Sequence, residues 1–178
     1  MTGQFGIRVG VNAAIVRDGA LLVVEFEDAE TGLHYNLPGG GVQAGESLYE
    51  ALRREVREET CAEIEIGPLL LVWEYVPAQY AERYGPIQKL GLIFGCALCA
   101  GSSPRLSERP DAHQIGVRWV PLEAIRAAPP QPRPVPEETP ALQAEQAVSH
   151  VPLLPQIGEQ LIAALRVPSQ SDLLIKQI

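Results

Sequence analysis

Residues 37–62 read LPGGGVQAGESLYEALRREVREETCA, and this stretch decides the fold because it joins a glycine run to an amphipathic helix. Pro38 and the three glycines that follow it disfavour regular structure and permit unusual backbone angles, so we predict a loop there. Ser47 is a typical N-cap residue, and the pattern after it predicts a helix through Thr60.

The predicted helix carries acidic side chains on its apolar side. Its apolar stripe consists of Leu48, Ala51, Leu52 and Val56. With Leu48 at zero and about 100° per residue, Glu55 falls at about −20°, Glu59 at about +20° and Glu58 at about −80°. The wheel therefore places Glu55 and Glu59 toward the core and Glu58 to one side.

An inward carboxylate is costly unless it is paired or binds a metal, and neighbouring carboxylates raise one another's pKa. A hard cation resolves this conflict, because Mg²⁺ prefers oxygen ligands and is held by a few carboxylates together with substrate phosphates. A glycine loop against the helix lets a backbone carbonyl approach the same ion and leaves room at Gly40 for a phosphate chain. Arg54 can orient a carboxylate through a bidentate contact. We therefore predict a magnesium site, with Mn²⁺ as an alternative ion.

The spacing of these residues is specific. Gly40, five residues, Glu46, seven residues and then Arg54-Glu55-Val56-Arg57-Glu58-Glu59 resemble the Nudix box, and the preceding Leu37-Pro38-Gly39-Gly40 also looks Nudix-like. The resemblance extends through the flanking strands to about residue 127, whereas the last fifty or so residues do not obviously match. The position where the box usually has a helix-ending glycine holds Cys61, so we expect another turn to replace the left-handed cap.

The resemblance implies an α/β/α sandwich with a mixed β-sheet between helices, and hydrolysis of a nucleoside diphosphate linked to another group by metal-assisted attack of water on phosphorus. It implies that Glu55 and Glu59 are the principal metal ligands, with the Gly39 carbonyl as a further ligand. Glu58 would be an additional ligand or the general base. Arg54 would hold Glu55, and Glu46 would support the junction of loop and helix.

Two questions stay open at the level of sequence. Some Nudix proteins take the general base from a later loop, where the candidates here are Glu108, Asp111 and His113. The substrate is equally open, because in this family a proline or a tyrosine beyond the box is associated with ADP-ribose or dinucleoside polyphosphates respectively, and Pro77 and Tyr80 satisfy both. Residues that could stack on a base or grip a phosphate are Tyr35, Tyr75, Tyr80, Tyr84 and Arg83.

The rest of the chain predicts one domain with an appendage. A hairpin of Ile7–Val16 and Leu21–Phe26, strands at 64–66, 69–76, 90–100 and 116–120, and a short helix at 121–126 complete a Nudix domain over residues 1–128. Six prolines between positions 129 and 140 predict a connector. Residues 141–178 form a C-terminal appendage whose helix, at 153–165, is expected to pack on the same domain or on a partner subunit.

Composition limits the partners. The formal charge of −8 without a basic patch argues against long nucleic acid and anionic membranes, and leaves a small phosphorylated nucleotide as the expected ligand. An odd count of three cysteines and the lack of an export or membrane segment favour a reduced, cytoplasmic protein. A homodimer through the C-terminal helix and a catalytically silent nucleotide-binding module are the remaining alternatives.

Overall fold

The computed structural model describes residues 6–29, 32–79, 85–126, 151–154 and 158–166. Within these ranges the chain forms nine strands and two α-helices. In chain order they are β1 (Arg8–Arg17), β2 (Ala20–Asp28), β3 (Gly32–Asn36), β4 (Gly39–Gly41), α1 (Leu48–Thr60), β5 (Ile64–Tyr75), β6 (Lys89–Leu98), β7 (Gln114–Pro121), β8 (Ile125–Arg126), β9 (Val151–Leu154) and α2 (Gly158–Arg166).

The strands form one mixed sheet. Its order is β5-β6-β1-β2-β3-β9-β8, with β4 paired to β1 and β7 paired to β2. Strands β1 and β6 run parallel, whereas β1 and β2 form an antiparallel hairpin. The hairpin turn has positive φ at both Asp18 and Gly19, the geometry that two-residue hairpin turns require. The predicted hairpin is therefore confirmed.

Each face of the sheet packs against one helix, because alternate residues of a strand point to opposite faces. On β1, the side chains of Val11, Ala13 and Ile15 share a core cluster with residues of α1. Ala14 points the other way, into a second cluster that contains Leu161 of α2, which is completely buried. This arrangement confirms the predicted α/β/α sandwich. It also shows that the C-terminal helix packs on the core of the same chain.

Helix α1 begins and ends at defined caps. Ser47 accepts a hydrogen bond from the Glu50 amide while the Glu50 side chain accepts one from the Ser47 amide, which is a capping box. At the other end, Cys61 has φ 53° and ψ 21°, and its N–H donates to the Arg57 carbonyl. The expectation of a different turn is therefore wrong: Cys61 itself adopts the left-handed conformation that glycine normally supplies.

This cap is a source of strain. A Cβ in the left-handed region costs about 1–2 kcal/mol, and glycine avoids that cost. We expect Cys61→Gly to raise the free energy of unfolding by about 1 kcal/mol, or roughly 2–4 °C in melting temperature for a chain of this size. Thermal unfolding followed by circular dichroism measures the difference. Cys61→Ala is the matched control, since it removes the thiol and keeps the Cβ; an equal gain in both variants would contradict the strain argument.

Four local predictions need correction. The glycines 39–41 form a strand, β4, because β1 offers an open edge for pairing. The segments at 64–66 and 69–76 are one strand, β5, whose register shifts around Gly67-Pro68. Residues 121–126 end β7, make a short 3-10 turn and enter β8 instead of forming a helix. Leu153 and Leu154 belong to β9, since parallel pairing with β3 overrides their helical spacing.

The predicted proline-rich connector, residues 129–140, lies outside the described residues. In the ranges that the structure describes, no helix combines the length and apolar character needed to cross a bilayer.

Candidate active site

The last two turns of α1 direct two carboxylates toward the sheet. The Glu59 side chain is buried, with the residue 5% exposed, and accepts a hydrogen bond of 2.8 Å from the Gly39 N–H. The Glu55 side chain is 13% exposed, whereas that of Glu58 is 56% exposed. The helical wheel thus assigned burial correctly: Glu55 and Glu59 face inward, and Glu58 faces solvent.

Burial and neighbouring negative charges disfavour the ionised form of both carboxylates. Burial raises the pKa of Glu59 to about 8; the hydrogen bond from Gly39 opposes this rise, and the charges of Glu55, Asp111 and Glu58 add to it. Burial also raises the pKa of Glu55, against the lowering effect of Arg54 and with further raising by Glu58 and Asp111. The cluster therefore holds more negative charge than its neighbours neutralise.

Arg54 connects the helix to the preceding loop. Its guanidinium donates to both oxygens of Glu46, at 2.6 and 3.1 Å, to Glu55 Oε1 at 2.7 Å and to the Gly41 carbonyl at 3.1 Å. A longer contact of 3.4 Å reaches Glu58. The hydrogen bond from Arg54, helped by one from the Gln43 amide, lowers the pKa of Glu46. Arg54 thus fixes the Glu55 carboxylate to the loop, whereas the Glu59 carboxylate is held by the Gly39 N–H of β4.

Strand β4 must lack side chains where it meets α1. A Cβ added to Gly40 would lie 2.5 Å from the Glu55 carboxyl carbon, far inside van der Waals contact. Gly39 has φ 148°, and a Cβ there would overlap the Val11 carbonyl oxygen. In the antiparallel pairing with β1, Gly39 lies opposite Asn12, and its neighbours Pro38 and Gly40 occupy the hydrogen-bonded positions. The Gly39 N–H therefore points away from β1 and donates to Glu59. The glycines bring backbone and carboxylates together.

The donor set fits a hard divalent cation. Within the described part of the chain, no three His, Cys, Asp or Glu side chains already converge on a common metal position. Glu55 is turned to Arg54 and Glu59 to the Gly39 amide, which accounts for this. Two inward carboxylates with raised pKa values, next to a third on the same helix, nevertheless supply the oxygen ligands and the excess negative charge that Mg²⁺ binds.

A loop before β7 approaches the same end of α1. The side chain of Gln114, which is 5% exposed, donates to the Glu59 carbonyl at 2.7 Å and accepts from the Asp111 amide at 3.3 Å. Asp111 is exposed, and its charge raises the pKa of both Glu55 and Glu59. Sequence reasoning missed Gln114, because a glutamine at the start of a strand carries no distinctive signal.

A pocket of about 310 Å³ opens beside the buried carboxylate. Glu59 and the glycines of β4 line it together with residues of β1, β5 and β6 and with Asn36 and Leu37. The polar and aromatic side chains that sequence reasoning did not assign to the pocket include Arg8, Asn12, Trp73 and Lys89. They were missed because they come from three strands, β1, β5 and β6, that become neighbours only in the sheet.

The comparison with known families decides what this arrangement is. A family model described as NUDIX domain matches residues 6–139, which is most of the chain. The chain belongs to the NUDIX family. Among curated relatives, the nucleoside triphosphatase NudI from Escherichia coli O139:H28 is 36% identical over 95 residues, covering 46% of this chain and 62% of the relative. The chain thus matches less than two thirds of that relative's length, and the same holds for NudI from Shigella flexneri.

Solved Nudix structures agree with the fold. The MutT NUDIX hydrolase from Burkholderia pseudomallei is 29% identical with a TM-score of 0.56. The match covers 72% of this chain and 91% of that protein's chain. An ADP-ribose pyrophosphatase from Streptococcus suis covers 92% of this chain and 96% of its own with a TM-score of 0.56, but at 18% identity it shows the fold alone.

The structure brings the Nudix-box residues together. Glu46, Arg54, Glu55, Glu59 and the glycines 39 and 40 form one connected cluster, with Glu58 at its solvent side. Tyr35 is a correction, since it is 2% exposed within the core on the α2 face, where no base can stack on it. Tyr80, Tyr84 and Arg83 lie outside the described residues.

Proposed function

We propose that this Nudix protein is a Mg²⁺-dependent hydrolase that cleaves the diphosphate bond of a nucleoside diphosphate linked to another group. The observation that carries the proposal is the pair of inward carboxylates, Glu55 and Glu59, held against a glycine strand that lines a pocket together with Glu59. A buried carboxylate whose pKa is raised to about 8 is expensive in a protein that does not use it.

In this proposal Glu55 and Glu59 hold the metal, with Glu58 and the Gly39 carbonyl as further ligands. Bound Mg²⁺ polarises the phosphoryl oxygens and lowers the pKa of water at the site. Arg54 orients Glu55 through the hydrogen bond of 2.7 Å, and Glu46 holds Arg54 in turn. The glycines of β4 leave the space that the phosphates need. Positioning of water and phosphorus in line supplies much of the remaining rate acceleration.

The general base has one candidate on α1, Glu58, and three in the loop before β7: Glu108, Asp111 and His113. Glu58 is exposed beside the buried pair, so water can reach its carboxylate. Of the loop candidates, Asp111 is supported by its electrostatic effect on Glu55 and Glu59 and by the link through Gln114 to the end of α1. Glu108 and His113 stay candidates from the sequence; the backbone carbonyl of His113 accepts a hydrogen bond from the Glu27 amide.

The substrate stays open among nucleotide sugars, nucleoside triphosphates and dinucleoside polyphosphates, and the comparisons bear on the first two. The NudI relatives are named as nucleoside triphosphatases, which favours a triphosphate. A structural neighbour named as an ADP-ribose pyrophosphatase represents the nucleotide sugars, although its low identity carries the fold only. Both classes contain the diphosphate bond that the carboxylate cluster would act on.

A hydrolysis screen tests the proposal directly. The purified chain is incubated with nucleoside triphosphates, nucleotide sugars and dinucleoside polyphosphates, with Mg²⁺, with Mn²⁺ or with a chelator, and products are separated by anion-exchange chromatography. We expect Mg²⁺-dependent release of a nucleoside monophosphate and no release with the chelator. Nucleotide binding without any product across the whole panel would instead support a catalytically silent binding module.

A further inference from the structure

Gly10 and Gly41 form the floor of the pocket, and Gly91 lies in the same row beneath the Trp73 ring. Gly10 of β1 pairs with Gly41 of β4 on one side and with Gly91 of β6 on the other. Paired residues of neighbouring strands point to the same face, so this row presents no side chain to the pocket. Trp73 of β5 pairs with Gly91 and lays its indole over it, since a Cβ at Gly91 would overlap the ring. The result is a flat floor with an aromatic wall.

Two cations stand beside this floor. Arg8 of β1 pairs with Lys89 of β6, two residues along the strands from the Gly10–Gly91 pair. The Arg8 guanidinium folds back over Gly41: a Cβ at Gly41 would lie 2.7 Å from Arg8 Nη2. Arg8 therefore reaches from the far end of the pocket toward the Nudix box.

Neither cation has a carboxylate partner among the described residues. No ion pair in these ranges includes Arg8 or Lys89, although the whole chain carries a formal charge of −8. Burial lowers the pKa of Lys89, and the nearby charge of Arg8 lowers it further. Arg8 is exposed and Lys89 is half-buried; the two adjacent positive charges repel each other, and an anionic ligand between them would remove that repulsion.

The spacing places this cation pair at a short distance from the proposed metal ligands. Gly39 donates to Glu59, and Gly41 is two residues further along the strand, which corresponds to about 7 Å. A ligand whose scissile phosphate lies at Glu59 can therefore lay additional phosphate over the glycine floor and reach the Arg8 guanidinium. A nucleotide sugar presents an uncharged sugar in this direction and leaves both cations without a counter-charge.

We propose that Arg8 and Lys89 form an anion subsite for the second phosphate beyond the scissile bond, the γ-phosphate, which makes nucleoside triphosphates the preferred substrate class of this site. The inference rests on the proposed function. In the reaction, a water oxygen bonds to the phosphorus attached to the nucleoside, the anhydride bond to the next phosphorus breaks, and pyrophosphate leaves with the bonding electron pair. The water proton goes to the carboxylate base. Arg8 and Lys89 bind the departing pyrophosphate unit and do not take part in the proton transfer.

The test compares two substrates that differ by one phosphate. We measure kcat/KM for a nucleoside triphosphate and for the nucleoside diphosphate with the same base, in the wild type, Arg8→Gln and Lys89→Gln. We expect the triphosphate-to-diphosphate ratio to fall about tenfold or more in each variant, mainly through a higher KM for the triphosphate. Arg105→Gln, which removes an exposed positive charge outside the pocket, is the matched control and is expected to keep the wild-type ratio.

A binding experiment separates the two proposals. Titration calorimetry with Mg²⁺ and a non-hydrolysable α,β-methylene triphosphate gives Kd for the same variants. Mg²⁺-dependent hydrolysis with an unchanged ratio in Arg8→Gln and Lys89→Gln would overturn the subsite and leave the proposed hydrolase in place. If the wild type binds the triphosphate analogue but hydrolyses no nucleotide, and both variants lose that binding, the subsite would be supported and the hydrolase overturned. A proportional loss for both substrates would also overturn the subsite, since it would reflect general disruption of the pocket.

Discussion

Glu59→Gln is expected to lower kcat by at least about 10³-fold, a loss of about 4 kcal/mol of transition-state stabilisation, while the protein stays folded. Glutamine keeps an oxygen that accepts the Gly39 N–H, so the contact between β4 and α1 survives. It cannot supply the negative charge that a divalent ion needs. The loss of activity should therefore not come from unfolding.

The same substitution is expected to change how stability depends on pH in the absence of metal. The folded pKa of Glu59, about 8, lies above the value near 4.5 of a free glutamate. Between these two pH values the native state keeps a proton that the unfolded state has lost, so the free energy of unfolding falls as the pH rises through this window. Glutamine has no proton to lose. Wild type should lose stability, on the order of a few kcal/mol, where Glu59→Gln does not.

Thermal melts of wild type and Glu59→Gln with a chelator, at about pH 5 and about pH 8.5, measure this difference. The same melts with Mg²⁺ measure how the ion changes the melting temperature. Because a bound cation favours the ionised carboxylate, Mg²⁺ should raise the wild-type melting temperature more at the higher pH and have little effect on Glu59→Gln. Glu63→Gln, at an exposed position paired to Arg57, is the matched control. Parallel pH profiles for wild type and Glu59→Gln would show that Glu59 ionises normally in the fold.

Arg54→Met is expected to lower both activity and stability. Methionine fills similar apolar space but removes the donors that hold two Glu46 oxygens, Glu55 and the Gly41 carbonyl. Hydrogen bonds to charged groups contribute about 1.5–3 kcal/mol each when well made, and partial exposure of Arg54 reduces this, so we expect a loss of about 2 kcal/mol of stability. With Glu55 no longer held in place, we expect kcat to fall by about 10²-fold.

Arg54→Lys distinguishes geometry from charge. Lysine keeps the positive charge but cannot bridge Glu46 and Glu55 with a planar fork, so we expect it to recover stability in part and activity little. Arg53→Met, one residue earlier on the exposed side of α1, controls for loss of a helical arginine. Chemical denaturation and steady-state kinetics provide both readouts. Equal losses in Arg53→Met and Arg54→Met would contradict a positioning role for Arg54.

The Nudix box could be interpreted from sequence because its information is local. Residues 40–59 lie within a glycine run and one helix, where spacing along the chain translates directly into direction in space. The inward arc of Glu55 and Glu59 and the outward position of Glu58 followed from helix geometry alone. The capping box at Ser47 is of the same kind. Cys61 shows the limit, since a spacing rule does not say that a residue with a Cβ will accept the left-handed conformation.

Long-range pairing decided the rest. The short helix expected at 121–126 and the start of the C-terminal helix at 153 became strand or turn, because pairing with β3 and β9 outweighed local periodicity. Tyr35 looked available for a base, yet its strand lies inside the sheet and buries the ring. Gln114 acquires its role only because β7 places it under the end of α1.

By itself, the sequence of this protein indicated the family and the carboxylates of the proposed metal site, since both are encoded in the spacing of one continuous segment, and the resemblance to that family implied the sandwich fold. Only the tertiary structure placed Arg8, Gly10, Gly41, Trp73 and Lys89 around one pocket. Strands β1, β4, β5 and β6 are separated along the chain, and hydrogen-bond register across the sheet, which no local pattern specifies, makes these residues neighbours.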